Sequence, residues 1–143
     1  MTAPNSSDSD EWLRRYSPRE WVRAAMGELE QARRAYAKRN GRAGLAGCRR
    51  AAGVALNGLL ATQAAPDPTY GRSFMEHLVG LSNDLTAPEL AREGAKLLLQ
   101  TPLPGGDVIA LRTPTSDARA LDAAETVMAH AYAIVVRFES SGS

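Results

Sequence analysis

The chain has 143 residues, of which 44% are hydrophobic, so it can form one domain with a single core and has no room for a second. Its only cysteine is Cys48, which excludes an intrachain disulfide and a cysteine-rich zinc site. The N-terminus has no signal-peptide pattern, and no run of about 18 apolar residues occurs. We therefore expect a cytoplasmic protein that does not span a membrane.

The formal net charge of +1 conceals an uneven charge distribution. Residues 14–50 carry eleven bases against three acids, whereas residues 51–143 carry six bases against ten acids. Such a basic segment indicates a surface that binds nucleic acid or another anion. The predicted anion-binding residues are Arg33, Arg34, Lys38, Arg39, Arg42, Arg49 and Arg50. They lack the row of spaced aromatic residues that base stacking requires, so a solvated helix surface is the favoured interpretation. Weak, salt-dependent RNA binding through phosphates is the alternative.

Two helices are predicted in the first half of the chain. The segment SPRE (residues 17–20) is a helix-start signature, and apolar residues then recur three and four positions apart. This helix should end near Gly41, which can adopt the left-handed conformation. A second helix follows from Leu45 to Leu59, and the short connection predicts an antiparallel hairpin. Four glycines in this helix region indicate close packing: Gly44, Gly47, Gly53 and Gly58.

Three more helices are predicted after the proline-rich break at residues 64–71. Phe74, Leu78 and Leu81 mark a short third helix, and the segment TAPE (residues 86–89) should cap a fourth that stops before Pro102. Val108–Leu111 is a candidate extended piece in the following loop. The last helix should run from about Ser116 to Phe138. Its apolar seam comprises Leu121, Ala124, Met128, Ala131, Val135 and Phe138.

These elements predict an all-α, up-and-down bundle of three long helices and two shorter ones in residues 17–138. Residues 1–16 should form a polar flexible tail, and residues 139–143 a flexible C-terminus. The narrow seams leave several apolar side chains outside the strict core lines, which indicates a homodimer. These side chains are Trp12, Trp21, Ile134 and Val136.

The order of features resembles the HEPN (higher eukaryotes and prokaryotes nucleotide-binding) domain family. The resemblance spans Pro18 to Phe138 and rests on ELEQARRAYAKRNGRAGLAGCRRAAGVALNGLL, then HLVGL, then LRTPTSDA leading into LDAAETVMAHAYAIVVRF. It implies a HEPN-like bundle. It also implies two roles found in the family. One is a metal-independent ribonuclease in which four to six residues separate an arginine from a following histidine, and the other is an accessory subunit of a small nucleotidyltransferase.

Arg72 and His77 fit the ribonuclease spacing, with four residues between them. The imidazole would transfer protons, and the guanidinium would hold phosphate or stabilise charge in the transition state. Against this role, the two residues point about 140° apart if both are helical. In addition, the family's ribonuclease motif normally lies nearer the last helix. The alternative is that both residues are structural. His130 falls opposite the final seam, which indicates a solvated position.

We therefore expect a noncatalytic helical interaction or adaptor module of HEPN-like fold that binds a protein partner, a nucleotide or nucleic acid. A HEPN-type endoribonuclease that uses Arg72 and His77 is one alternative, and a nucleotidyltransferase accessory subunit is another. No cofactor or metal is predicted, because neither histidine has acidic residues at a familiar metal-binding spacing.

Overall fold

The computed structural model describes residues 10–102 and 114–141, and it is built from five helices. They are α1 (Pro18–Ala37), α2 (Gly41–Ala61), α3 (Phe74–Ser82), α4 (Glu89–Gln100) and α5 (Pro114–Ser141), with 3-10 turns at Glu11–Arg15 and Pro68–Tyr70. The described residues contain no strand, which confirms the predicted all-α class. None of the helices in this part of the chain is long and apolar enough to cross a bilayer. The candidate extended piece Val108–Leu111 lies outside the described residues.

Helix α1 begins where the sequence predicts. The Ser17 hydroxyl accepts a hydrogen bond from the Glu20 amide at 3.1 Å, and the Glu20 carboxylate accepts one from the Ser17 amide at 2.8 Å. This reciprocal pair satisfies amide groups that have no partner in the first turn. Four of the apolar residues that recur three and four positions apart in this helix are buried, namely Val22, Ala25, Leu29 and Ala32.

The end of α1 differs from the sequence prediction. Arg39, not Gly41, adopts the left-handed conformation, with φ of 62°. The Asn40 amide donates to the Ala35 carbonyl and the Arg39 amide donates to the Tyr36 carbonyl, which is the Schellman arrangement. Gly41 instead begins α2, with Asn40 as its N-cap. A left-handed arginine costs about 1 kcal/mol, because its Cβ crowds the backbone.

Helix α2 is the central helix, since every residue from 51 to 60 is buried. Two of its glycines allow α1 to approach closely. A Cβ added at Gly47 would lie 2.9 Å from the Ala32 Cβ, and one added at Gly58 would lie 2.8 Å from the Pro18 carbonyl oxygen. The early part of α2 therefore lies beside the end of α1, and the late part beside its start. These contacts confirm the antiparallel hairpin and the predicted close packing.

The two shorter helices begin differently from each other. Helix α3 has a capping box in which Ser73 and Glu76 bond reciprocally, a signature visible in the letters SFME. Helix α4 begins at Glu89 with Pro88 as the N-cap and no side-chain cap, so the prediction from TAPE was wrong. The Thr86 hydroxyl and amide donate instead to Asp84, within the turn that precedes the helix.

The last helix buries a wider face than its predicted seam. Ala124, Met128, Ala131 and Val135 are buried, but so are three residues beside the seam, Ala120, Ala123 and Val127. Phe138, the predicted end of the seam, is 41% exposed. Because α2 and α4 both contact α5, more than one line of its side chains is covered.

The folded domain extends beyond residues 17–138 at both ends. Leu13, which the sequence places in a flexible tail, is 2% exposed and belongs to the core. The indole N–H of Trp21 donates to the Leu13 carbonyl at 2.8 Å and holds this segment against α1. At the other end α5 continues to Ser141, and Glu139 pairs with Arg19 on α1. Residues 1–9 lie outside the described part of the chain.

Candidate functional site

His77 lies on α3 and is 0% exposed. Its Nδ1 is 2.6 Å from the Tyr70 carbonyl oxygen, in the 3-10 turn before α3, and its Nε2 is 2.7 Å from Asn57 Oδ1 on α2. Asn57 is itself buried, at 3% exposure. Both ring nitrogens are therefore used inside the protein. Asn57 was not singled out from the sequence, although an asparagine within the otherwise apolar AAGVALNGLL is the kind of residue that needs a buried partner.

The protonation of His77 follows from its surroundings. Burial lowers the pKa of this imidazole, and the hydrogen bond to the Tyr70 carbonyl only partly opposes that shift. The ring is thus neutral near pH 7, with a single N–H. Nδ1–H donates to Tyr70, so Nε2 must accept a hydrogen bond, and the Asn57 amide provides it when its NH₂ group faces the ring. In this arrangement the neutral histidine satisfies both partners.

Arg72 precedes the N-cap of α3 and is exposed. Its backbone amide donates to the Glu76 carboxylate at 3.0 Å, which strengthens the start of the helix. Its guanidinium carbon lies 5.9 Å from the ring centre of Trp12, and the Trp12 ring stacks on His77 at 6.1 Å. Arg72 and His77 thus contact the same indole, but only the guanidinium reaches the surface.

A second hydrogen-bonded group links the 3-10 turn to the α3–α4 connection. The Tyr70 hydroxyl donates to the Asp84 carboxylate at 2.7 Å, and Thr86 donates to the other oxygen. Burial raises the pKa of Asp84, but these hydrogen bonds outweigh it and the net pKa is lowered. Partial burial lowers the pKa of His130, and the Asp84 carboxylate only partly opposes this shift. His130 is thus half-buried, which corrects the prediction of a solvated position.

The structure divides the seven predicted anion-binding residues into two sets. Three are used within the fold. Arg33 pairs with Glu30 and Glu125, Arg50 pairs with Glu28, and Arg49 donates to the carbonyls of Leu98 and Thr101 at the end of α4. The other four surround the α1–α2 connection and form what we call the basic tip: Arg34, Lys38, Arg39 and Arg42.

The basic tip is exposed, and none of its four residues forms an ion pair within the described part of the chain. Residues 31–66 contain no aspartate or glutamate to offset this charge. A shallow pocket of about 390 Å³ is lined by Arg34 and Lys38 together with Gln31, Ala35 and Asn40. Cations and amides in this arrangement suit an anion better than a metal.

An open apolar groove of about 540 Å³ runs between α1 and α5. We call it the α1–α5 groove, and the apolar residues that line it are Val22, Met26, Leu29, Met128, Ala129 and Tyr132. Met26 is 59% exposed and Tyr132 is 44% exposed. The tryptophans that the sequence suggested for a dimer surface are instead partly buried against the core.

Arg19 closes one end of the groove. Its Nε donates to both carboxylate oxygens of Glu139, at 3.2 and 2.9 Å, and its Nη2 donates to one of them at 2.7 Å. Its guanidinium carbon lies 5.6 Å from the Tyr132 ring centre. Arg33 closes the other end by donating to Glu125 at 2.7 Å. Both pairs are exposed and so contribute little to stability, but they show that α1 and α5 run antiparallel along the groove.

Cys48 is fully buried, as the sequence indicates, and burial raises the pKa of its thiol to about 11. It is therefore an unreactive packing residue at neutral pH. No group of three or more histidines, cysteines or acids among the described residues is placed to hold a metal ion. Comparisons with protein-family models, curated proteins and solved structures found no match to this chain.

Proposed function

We propose that this chain is a noncatalytic helical interaction module of HEPN-like fold. The observation that carries the proposal is the position of His77, which is 0% exposed and has both ring nitrogens bonded inside the core. A general acid or base must come within hydrogen-bond reach of its substrate. This imidazole cannot do so without disrupting the bonds that hold α2, α3 and the 3-10 turn together.

The HEPN-like assignment is supported by the order and lengths of the helices. A long α1–α2 hairpin is followed by the short α3, which carries HLVGL, and the last described helix is the 28-residue α5. Leu78 and Leu81 of that segment are fully buried, which supports a packing role for it. In the accessory-subunit alternative, the same bundle would bind a nucleotidyltransferase. An accessory subunit of this kind is also an interaction module.

A cleavage assay tests the proposal. Mixed-sequence RNA is incubated with the parent protein and with Arg72→Ala and His77→Gln, whose folding is checked by circular dichroism. We expect no cleavage above the buffer blank by any of them. His130→Gln is the matched control, because it alters the other histidine, which is only partly buried. Cleavage by the parent that is lost in Arg72→Ala and His77→Gln, but kept in His130→Gln, would establish the ribonuclease instead.

The basic tip favours a second candidate function, weak binding to RNA through the phosphate backbone. Four exposed cations at one end of a helical hairpin can neutralise phosphates and release their counterions. Such binding weakens steeply with salt, because each phosphate contact to a single strand contributes about −0.7 to the slope of log K against log salt concentration.

Fluorescence anisotropy with a labelled single-stranded RNA measures this slope. We expect Arg34→Ala/Arg42→Ala to weaken binding and to reduce the slope by about 1.4, for two lost contacts. The charge-matched control is Arg14→Ala/Arg23→Ala, which removes two exposed arginines outside the basic tip. Equal weakening by both double variants would show that only net charge matters and that the basic tip is not a site.

A further inference from the structure

We propose that a second copy of this chain docks on the α1–α5 groove, with a two-fold axis parallel to the groove. The inference rests on the proposed function as an interaction module and specifies its partner. The groove combines exposed apolar side chains with ion pairs at both ends. The positions of these charges indicate what can cover the groove.

The groove has the same pattern on both helices. On α1, Arg19, Met26 and Arg33 are spaced seven residues apart, and on α5, Glu125, Tyr132 and Glu139 have the same spacing. Seven residues are close to two helical turns, so each trio lies along one side of its helix. Because Arg19 pairs with Glu139 and Arg33 with Glu125, the two trios face each other in antiparallel register. The α1 edge of the groove therefore carries an arginine at each end, with Glu30 beside Arg33, and the α5 edge carries a glutamate at each end.

A face-to-face dimer has its two-fold axis in the plane of the interface, so the axis runs along the groove or across it. An axis along the groove lays α1 of one copy over α5 of the other. Arg19 then meets Glu139, Met26 meets Tyr132 and Arg33 meets Glu125 of the second copy. An axis across the groove lays α1 over α1, so that Arg19 meets Arg33. The two glutamates on α5 meet in the same way, and like charges brought together repel each other, which selects the axis along the groove.

The size of the surface predicts a weak dimer. The groove extends from Arg19 to Arg33 on α1, a separation of fourteen residues or about 21 Å at 1.5 Å per residue. It is two helices wide, with helix axes about 8–10 Å apart. This is less than the ~800 Å² per partner of a typical stable complex. We therefore expect a dissociation constant of about 10–100 µM.

The first experiment measures association by sedimentation from about 10 to 500 µM, a range that spans the expected constant. We expect a concentration-dependent dimer in the parent and at least a ten-fold weaker one in Met26→Glu. The matched control is Leu90→Glu on α4, which also replaces an exposed apolar residue, 71% exposed, but lies outside the groove. A parent that stays monomeric at the highest concentration overturns the inference, as does equal weakening by the two variants.

The second experiment tests the direction of the axis with single-cysteine variants and a short bismaleimide. Met26→Cys and Ala129→Cys place thiols on opposite edges of the groove, and Cys48 gives little background because it is buried with its pKa raised to about 11. We expect cross-linked dimers when the two variants are mixed, and few with Met26→Cys alone. Efficient cross-linking by Met26→Cys alone would place the axis across the groove and overturn the inference. Neither result depends on RNA cleavage, whose detection would contradict the proposed function itself.

Discussion

Replacing His77 by alanine should strongly destabilise the domain, because the side chain fills a fully buried position and satisfies two buried polar groups. The cavity left by a side chain of this size costs about 2–4 kcal/mol. The orphaned amide of Asn57 adds about 1–3 kcal/mol. These contributions overlap, so we expect a total loss of about 3–5 kcal/mol, a large part of the ~5–15 kcal/mol that stabilises a typical domain.

Urea denaturation and thermal melting, followed by circular dichroism, measure this loss. In a domain of this length each kcal/mol lowers the Tm by about 3–4 °C, so the expected shift is about 10–20 °C. His130→Ala is the matched control and should cost much less, since His130 is only partly buried. If His77→Ala lost less than about 1 kcal/mol, or no more than the control, the buried hydrogen-bond network would not have the role described.

Three further predictions concern the protonation of His77, the backbone conformation of Arg39 and the packing of α5. Burial lowers the pKa of His77 below its usual value of about 6.5, so the unfolded chain binds a proton more readily than the folded protein does. The free energy of unfolding should therefore be highest above pH 6.5 and fall as the pH drops from there toward the pKa of His77 in the folded protein. In urea titrations at several pH values, His77→Gln should flatten this fall. An unchanged pH profile in that variant would show that His77 does not cause it. Arg39→Gly should stabilise the protein by about 0.5–1 kcal/mol, because glycine adopts positive φ without crowding. Arg39→Ala removes the same charge and should give no such gain, so equal effects would exclude the backbone explanation. Met128→Asp should cost about 3 kcal/mol or more by placing an unpaired charge at an 8% exposed position; a melting temperature within a degree or two of the parent would mean that α5 does not pack through this residue.

Local signals in the sequence were sufficient to predict that the helices form and in what order. The capping box of Ser17 and Glu20, the prolines after α2 and the apolar spacing in α1 each act over a few residues. The close packing at Gly47 was also predictable, because a glycine inside a helix is unfavourable unless something approaches it. Fold class and helix order follow from such short-range effects.

The turn after α1 shows where local reasoning is insufficient. Glycine is the residue best suited to the left-handed conformation, so Gly41 was the expected position. The structure places Arg39 there, because Asn40 caps α2 and Gly41 is already buried within that helix. Packing of α2 against α1 thus overrides the small conformational preference of a single residue.

Only the tertiary structure decided the roles of the polar side chains. The spacing of Arg72 and His77 says nothing about Asn57, twenty residues earlier, whose amide faces the imidazole. Arg49 and Arg34 look alike in the sequence, yet Arg49 bonds to carbonyls 49 and 52 residues away, whereas Arg34 remains exposed. Hydrogen bonds and charge pairs act over a few ångströms in space, and the fold alone brings such distant residues that close.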